Sequence, residues 1–206
     1  RGLADDLQLM TWLNDHIFPA EAKLDDQKVY SGALLACAEM IMSGTTCFCD
    51  MYLFEDAVAR AARKAGIRAV VGEVLYDFDS PNYGPIENGF KYTRKLIDTW
   101  QDDPLVSIAV EPHSTYLCAP KLLKKAFELT QSFNLPLVIH LAESKSEISQ
   151  IRERYGRTPV EGADDPDHQR LVFDSARRCL PRYRTGPLRL PYRCRYAVVA
   201  AGRCLA

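Results

Sequence analysis

The ten residues L-P-L-V-I-H-L-A-E-S, numbers 135 to 144, join an apolar run to a histidine and place a carboxylate three positions beyond it. A neutral imidazole at the end of a rigid strand is a good ligand for Zn²⁺ or Fe²⁺. A bound divalent ion brings the pKa of its water toward about 7, so a nearby carboxylate can take that proton and pass it to a departing ring nitrogen or amine. The pattern offers His140 as a metal ligand and Glu143 as the proton carrier of a hydrolytic deamination. Taken alone, the same spacing also fits a hydrogen-bonded histidine in a core or on a rim.

Two further stretches carry polar groups near apolar runs. In V-E-P-H-S-T-Y-L-C, residues 110 to 118, His113 directly follows a strand and can hold a ring nitrogen or hydroxyl of a substrate. Ser114 and Thr115 equally supply local partners for a histidine that caps the next helix. In H-I-F-P-A-E-A-K-L, residues 16 to 24, Glu21 falls between two helices, where a carboxylate in a loop can accept hydrogen bonds from ribose hydroxyls. A solvated surface glutamate has the same appearance, as does His16 as a surface histidine.

The elements that must position these groups follow from periodicity. Leu7, Leu9, Met10, Leu13 and Ile17 recur at helical spacing, with Pro19 as the stop. Asp25-Asp26 opens a second helix, with Val29, Ala33, Ala36, Cys37, Met40 and Ile41 on one face and Gly44 at its end. Strands over 45–50, 67–75, 105–110 and 135–140 then alternate with helices over 55–65, 86–100, 120–133 and 145–155. Apolar strands separated by single amphipathic helices imply parallel pairing, because a parallel crossover needs a dozen or more residues. Asp50, His113 and His140 fall at or just after strand carboxyl ends, and no glycine-rich phosphate loop follows a first strand. The expected fold is therefore α/β, a partial TIM-type (β/α)₈ barrel incomplete at both ends, rather than an open doubly wound sheet.

Composition sets the outer bounds. A chain of 206 residues, 47% apolar, is long enough for one domain with its own core. A net charge of −1 gives no pull toward nucleic acid or an anionic membrane, and favours a small neutral substrate. The seven cysteines follow no disulfide framework, which points to reduced thiols in a cytoplasm. No stretch has the length of a membrane span or the order of a signal peptide, and the start at Arg1 reads as a cut amino terminus.

These stretches, in this order and with S-G-T-T-C-F-C-D-M-Y between the first and second, resemble the amidohydrolase superfamily over roughly residues 3 to 161. The branch they resemble most is the methylthioadenosine/S-adenosylhomocysteine deaminases, with guanine-type deaminases and chlorohydrolases alongside. The resemblance implies a metal ligand at His140, a proton shuttle at Glu143, a substrate contact at His113 and a carboxylate for ribose hydroxyls at Glu21. It implies one divalent metal, zinc first and iron second, and a purine nucleoside or related heterocycle as substrate. Members of this branch can carry arginines near the third visible strand and in the loop after it, where the chain has Glu73 and the loop N-Y-G-P-I-E-N. The family's H-x-H pair falls before Arg1, and its later histidine and aspartate fall downstream, so one of four ligands remains and the chain by itself is expected to be inactive.

From His168 onward nine arginines occur without a lysine, and Asp174 is the only acid. Residues 162–206 are accordingly set apart from the barrel of 1–161. Out-of-frame translation of GC-rich coding sequence is the preferred reading. A disordered tail is one alternative. The other is a basic tail on a non-catalytic product, with affinity for nucleic-acid phosphates. Neither a membrane nor nucleic acid is expected as a partner of the barrel, but unpaired strand edges favour association with further copies.

Overall fold

The computed structural model describes residues 4, 6–156 and 158. The arginine-rich segment 162–206 lies outside the described residues. Those described fall into two compact units, one built from residues up to Glu73 together with Phe78–Ser107, the other from Val74–Asp77 and residues from Ile108 on.

The first unit opens with three contiguous helical pieces, α1 (Leu9–Thr11), a π-helical turn Trp12–Ile17 and α2 (Phe18–Glu21). Pro19 does not stop this stretch. A proline inside an α-helix lacks a donor and presses on the carbonyl four residues back. Here the wider π turn precedes it, and Pro19 occupies the first turn of α2, where its missing N–H costs nothing. As a result Glu21 ends a helix instead of sitting in a loop.

Helix α3 (Asp26–Met42) is capped by Asp25, whose carboxylate accepts from the Lys28 amide at 2.9 Å. It packs on α4 (Glu55–Ala65), whose alanines 57, 59, 61 and 62 are all fully buried and let the helices approach closely. The apolar face expected on α3 is only partly covered, since Val29 and Cys37 alone are buried while Ala36 and Ile41 are exposed. Strand β1 (Cys47–Tyr52) pairs in parallel with β2 (Arg68–Leu75), Cys47 opposite Arg68 and Tyr52 opposite Glu73. After α5 (Ile86–Trp100), the Ala69 amide donates to the Leu105 carbonyl at 2.9 Å, leading into β3 (Val106–Ile108).

The second unit contains the last two residues of β2, which pair in parallel with β4 (Glu111–Pro112). Its helices are α6 (Pro120–Phe133) and α7 (Lys145–Tyr155). The strand expected over 105–110 is split between β3 and β4. The strand expected over 135–140 is reduced to two isolated parallel bridges, Val110 with Leu137 and Ser114 with His140. Prolines explain the thinning along 135–140, since Pro112 and Pro136 supply no ladder donor. The Pro136 carbonyl still accepts from Val110 at 3.0 Å, so the chain direction is kept.

One buried carboxylate organises the first unit. The N-cap residue of α4, Phe54, is left-handed and offers no side-chain cap. Glu73, fully buried on β2, supplies it by accepting from the Glu55 amide at 2.9 Å, the Phe54 amide at 3.3 Å and the Asn82 side chain at 2.8 Å. Those donors favour the ionised form, but burial outweighs them and pushes Glu73 up to about 7. Glu73 thus has a structural role, capping α4 from the neighbouring strand.

Two outcomes follow. Unfolded, Glu73 titrates near 4.5, so between that value and about 7 the folded form holds its proton more tightly. Stability present at low pH is therefore lost as pH rises through about 7, by up to about 3 kcal/mol. Glu73→Gln should flatten that part of the pH dependence in urea melts, and an unchanged slope would contradict it. The exposed Cys47 and Cys49 on β1, with Leu35 and Met42 at 62% and 88% exposure on α3, should drive concentration-dependent association. A monodisperse monomer in sedimentation velocity would contradict that.

Candidate active site

The second unit gathers three of the four side chains singled out in the sequence. Leu137, Val138 and Ile139 are at most 1% exposed and anchor the segment that ends in His140. The His140 amide donates to the His113 carbonyl at 2.9 Å, and the His113 amide donates to the Leu75 carbonyl at 2.9 Å. These rungs put the two imidazoles on neighbouring chain segments, with ring centroids 5.1 Å apart at an interplanar angle of 67°.

Tyr116 completes the group. Its ring meets His113 edge-on at 5.8 Å, and its hydroxyl donates to Glu143 Oε2 at 3.0 Å. Burial and the neighbouring Glu143 charge push the Tyr116 phenol up, which keeps it a donor. Burial, followed by the nearness of His140, pushes His113 down to about 3, so its imidazole is neutral at ordinary pH. The Nδ1 atoms of both histidines are buried without a hydrogen-bond partner among the described residues. Ser114 is already engaged, accepting from the Leu117 amide at 3.2 Å, and does not satisfy His113.

An unpartnered buried imidazole nitrogen is costly unless something else meets it. Two such nitrogens beside a carboxylate held by a phenol make a group that can bind a nitrogen heterocycle or an electrophile and move a proton at Glu143.

Glu21 belongs to the first unit. It is half-buried at the end of α2, and burial raises its carboxyl above the ordinary range although a hydrogen bond from Tyr52 opposes this. Asp50 on β1 is likewise raised by burial. His16 is exposed in the π-helical turn, which fits a surface histidine. No three His, Cys, Asp or Glu side chains among the described residues cluster as a metal site.

Three partners escaped the sequence reading. Tyr116 and Tyr52 stand inside quoted motifs, but nothing in their spacing says which carboxylate each hydroxyl meets. Glu147 accepts from the Glu143 amide at 2.7 Å, and its signal was present as Ser144-x-x-Glu147, the spacing of a helix capping box.

Residues 1–180 match the amidohydrolase family. The chain is 63% identical over 160 residues to a 5-methylthioadenosine/S-adenosylhomocysteine deaminase of Syntrophobacter fumaroxidans, covering 78% of this chain and 36% of that one. It is 42% identical to a 5'-deoxyadenosine deaminase of Methanothermobacter thermautotrophicus, over 80% of this chain and 39% of the relative. Among solved structures it is similar to an adenosine deaminase from Xanthomonas campestris with bound zinc, with a TM-score of 0.75 and 37% identity, covering 78% of this chain and 37% of that chain. The chain thus spans little more than a third of the length of these relatives. The likeness agrees with the expected fold, part of the (β/α)₈ barrel of metal-dependent hydrolases.

Ile139 is fully buried one residue before His140. Ile139→Ala should cost roughly 2–5 kcal/mol in chemical denaturation, through the cavity it leaves beneath the histidine rung. A loss below about 0.5 kcal/mol would show that this segment is not the anchor described.

Proposed function

Since the chain belongs to the amidohydrolase family, we propose that it carries the proton-transfer part of the active site of a hydrolase that deaminates an adenosine-type nucleoside, methylthioadenosine or S-adenosylhomocysteine. The observation that carries this reading is Glu143, held by the Tyr116 hydroxyl beside the His113–His140 pair.

In the proposed reaction water adds to the ring carbon bearing the amino group. Glu143 accepts the proton that water loses and returns a proton to the amino nitrogen, which leaves as ammonia while the ring carbon keeps the oxygen. Tyr116, protonated under all ordinary conditions, orients the carboxylate through its hydrogen bond to Glu143. His113, neutral, offers one nitrogen as donor and one as acceptor to the heterocycle. Glu21, braced by Tyr52, is the proposed receptor for ribose hydroxyls. The names of the nucleoside deaminases to which the chain is similar support that substrate class.

A divalent ion, zinc first and iron second, is proposed as cofactor, supported by the zinc-bound relative. In enzymes of this kind such an ion activates water. His140, whose buried Nδ1 has no hydrogen-bond partner among the described residues, is the one proposed ligand here. A zinc site needs three protein ligands, and no cluster of three exists among the described residues. The described residues therefore do not fit a complete metal centre, and the steps above run through organic groups alone.

No helix among the described residues is long and apolar enough to cross a membrane, and Cys37, Cys47, Cys49 and Cys118 form no disulfide. A cytoplasmic location is the reading these thiols support. The arginine-rich residues from 168 on are proposed to take no part in the site, although the family match continues to residue 180.

A form of the protein spanning its relatives' full length should convert methylthioadenosine to its inosine analogue with release of ammonia, leaving guanine and chlorotriazines untouched. In it Glu143→Gln should lower kcat by about 10²–10⁴ with little change in KM. Action on guanine alone, or a variant kcat within about twofold of the parent, would overturn the reading.

A further inference from the structure

Glu147, in the first turn of α7, is 2% exposed, and its carboxylate meets three donors. Oε1 accepts from the Thr115 hydroxyl at 2.8 Å and the Ala142 amide at 3.2 Å, and Oε2 accepts from the Glu143 amide at 2.7 Å. In return the Glu147 amide donates to Ser144 Oγ at 3.1 Å, the N-cap bond of α7. An ordinary capping box returns the glutamate to the N-cap amide. Here the carboxylate reaches past Ser144 to the two residues before it.

Those two residues make the turn between His140 and Glu143. Ala142 is left-handed, with φ of 55°, a conformation that is unfavourable for a non-glycine residue and persists only when its surroundings fix it. A residue with a purely packing role at this position would be apolar, because a buried carboxylate is expensive unless donors fill it. Every donor that fills this one comes from a loop bearing a candidate site residue: Thr115 lies two positions after His113, and the Glu143 amide belongs to the proton carrier itself.

We infer that Glu147 is a positioning residue that locks the Glu143 turn to the loop carrying His113. This rests on the reading of Glu143 as proton carrier. The lock leaves Tyr116 free to set only the far end of the Glu143 side chain, while Glu147 sets its backbone origin.

The lock can be read without turnover. In the ¹⁵N-labelled chain, Glu147→Gln replaces one acceptor oxygen by a donor, so the Glu143 or the Ala142 amide must lose its partner. Their hydrogen exchange should quicken about tenfold or more, with upfield amide shifts. Thr115→Val, which changes nothing in the second loop, should shift the same two amides, and Thr115→Ser should restore them. Should Glu147→Gln not fold, the Thr115 pair decides. In the full-length form Glu147→Gln should lower kcat about tenfold or more while KM stays within about twofold. Unchanged Glu143 and Ala142 amides in Thr115→Val, or a KM effect without a kcat effect, would overturn the inference. Absence of deamination by the unmutated full-length form would defeat the deaminase reading instead, and the amide shifts would still decide the lock.

Discussion

The backbone rungs from Leu75 through His113 to His140 are the constraint on which the candidate site rests. Each is a single N–H···O=C bond of 2.9 Å between parallel chain segments, and together they fix which residue lies beside which. Side chains alternate along such segments, so a slip of one residue would send His140 to the opposite side of its segment and bury Ile139's neighbour in its place. Leu137, Val138 and Ile139, each at most 1% exposed, anchor the segment in this register through the core on both of its faces. The 5.1 Å approach of the imidazoles is therefore a consequence of core packing along the same segment.

Both units solve the same local problem in the same way. A turn entering a helix leaves amides without partners, and in each case a buried glutamate from outside the N-cap position accepts them. Glu73 does so for Phe54 and Glu55 from the strand that follows the helix, and Glu147 does so for Ala142 and Glu143 from inside the helix. In both places the turn holds a left-handed non-glycine residue, Phe54 with φ of 58° and Ala142 with φ of 55°. The carboxylates stabilise conformations the local sequence would not choose. The two differ in setting, since Glu73 receives two backbone amides and a side-chain amide within its unit, whereas Glu147 joins two loops that carry candidate site residues.

Much of this was legible in the sequence, because alternating apolar strands and amphipathic helices report the parallel fold through local period alone. His113, His140 and Glu143 were legible as polar residues breaking apolar runs at strand ends. What was not legible depended on long-range partners or on proline. Pro19 reads as a stop, and only the π turn ahead of it lets the helix continue to Glu21. The thinning of the strand over 135–140 follows from donors missing at Pro112 and Pro136, an effect visible only once the pairing is known. Glu73 reads only as a departure from the resembled branch, and its role of capping a helix whose start lies 18 residues earlier depends on a partner that local spacing does not show. The hydroxyls of Tyr52 and Tyr116 could not be assigned to Glu21 and Glu143 from spacing, since 27 residues separate Tyr116 from its carboxylate.

In the proposed reading, the rung-bound imidazole of His140 faces the place where the reaction occurs. The most direct measurement is the metal content and the deamination rate of a form spanning the relatives' full length, before and after His140→Ala. About one equivalent of divalent metal is expected in the parent, with its loss in the variant and a fall in turnover of about 10³ or more. A variant that keeps its rate, in a protein that binds no metal to begin with, would contradict it.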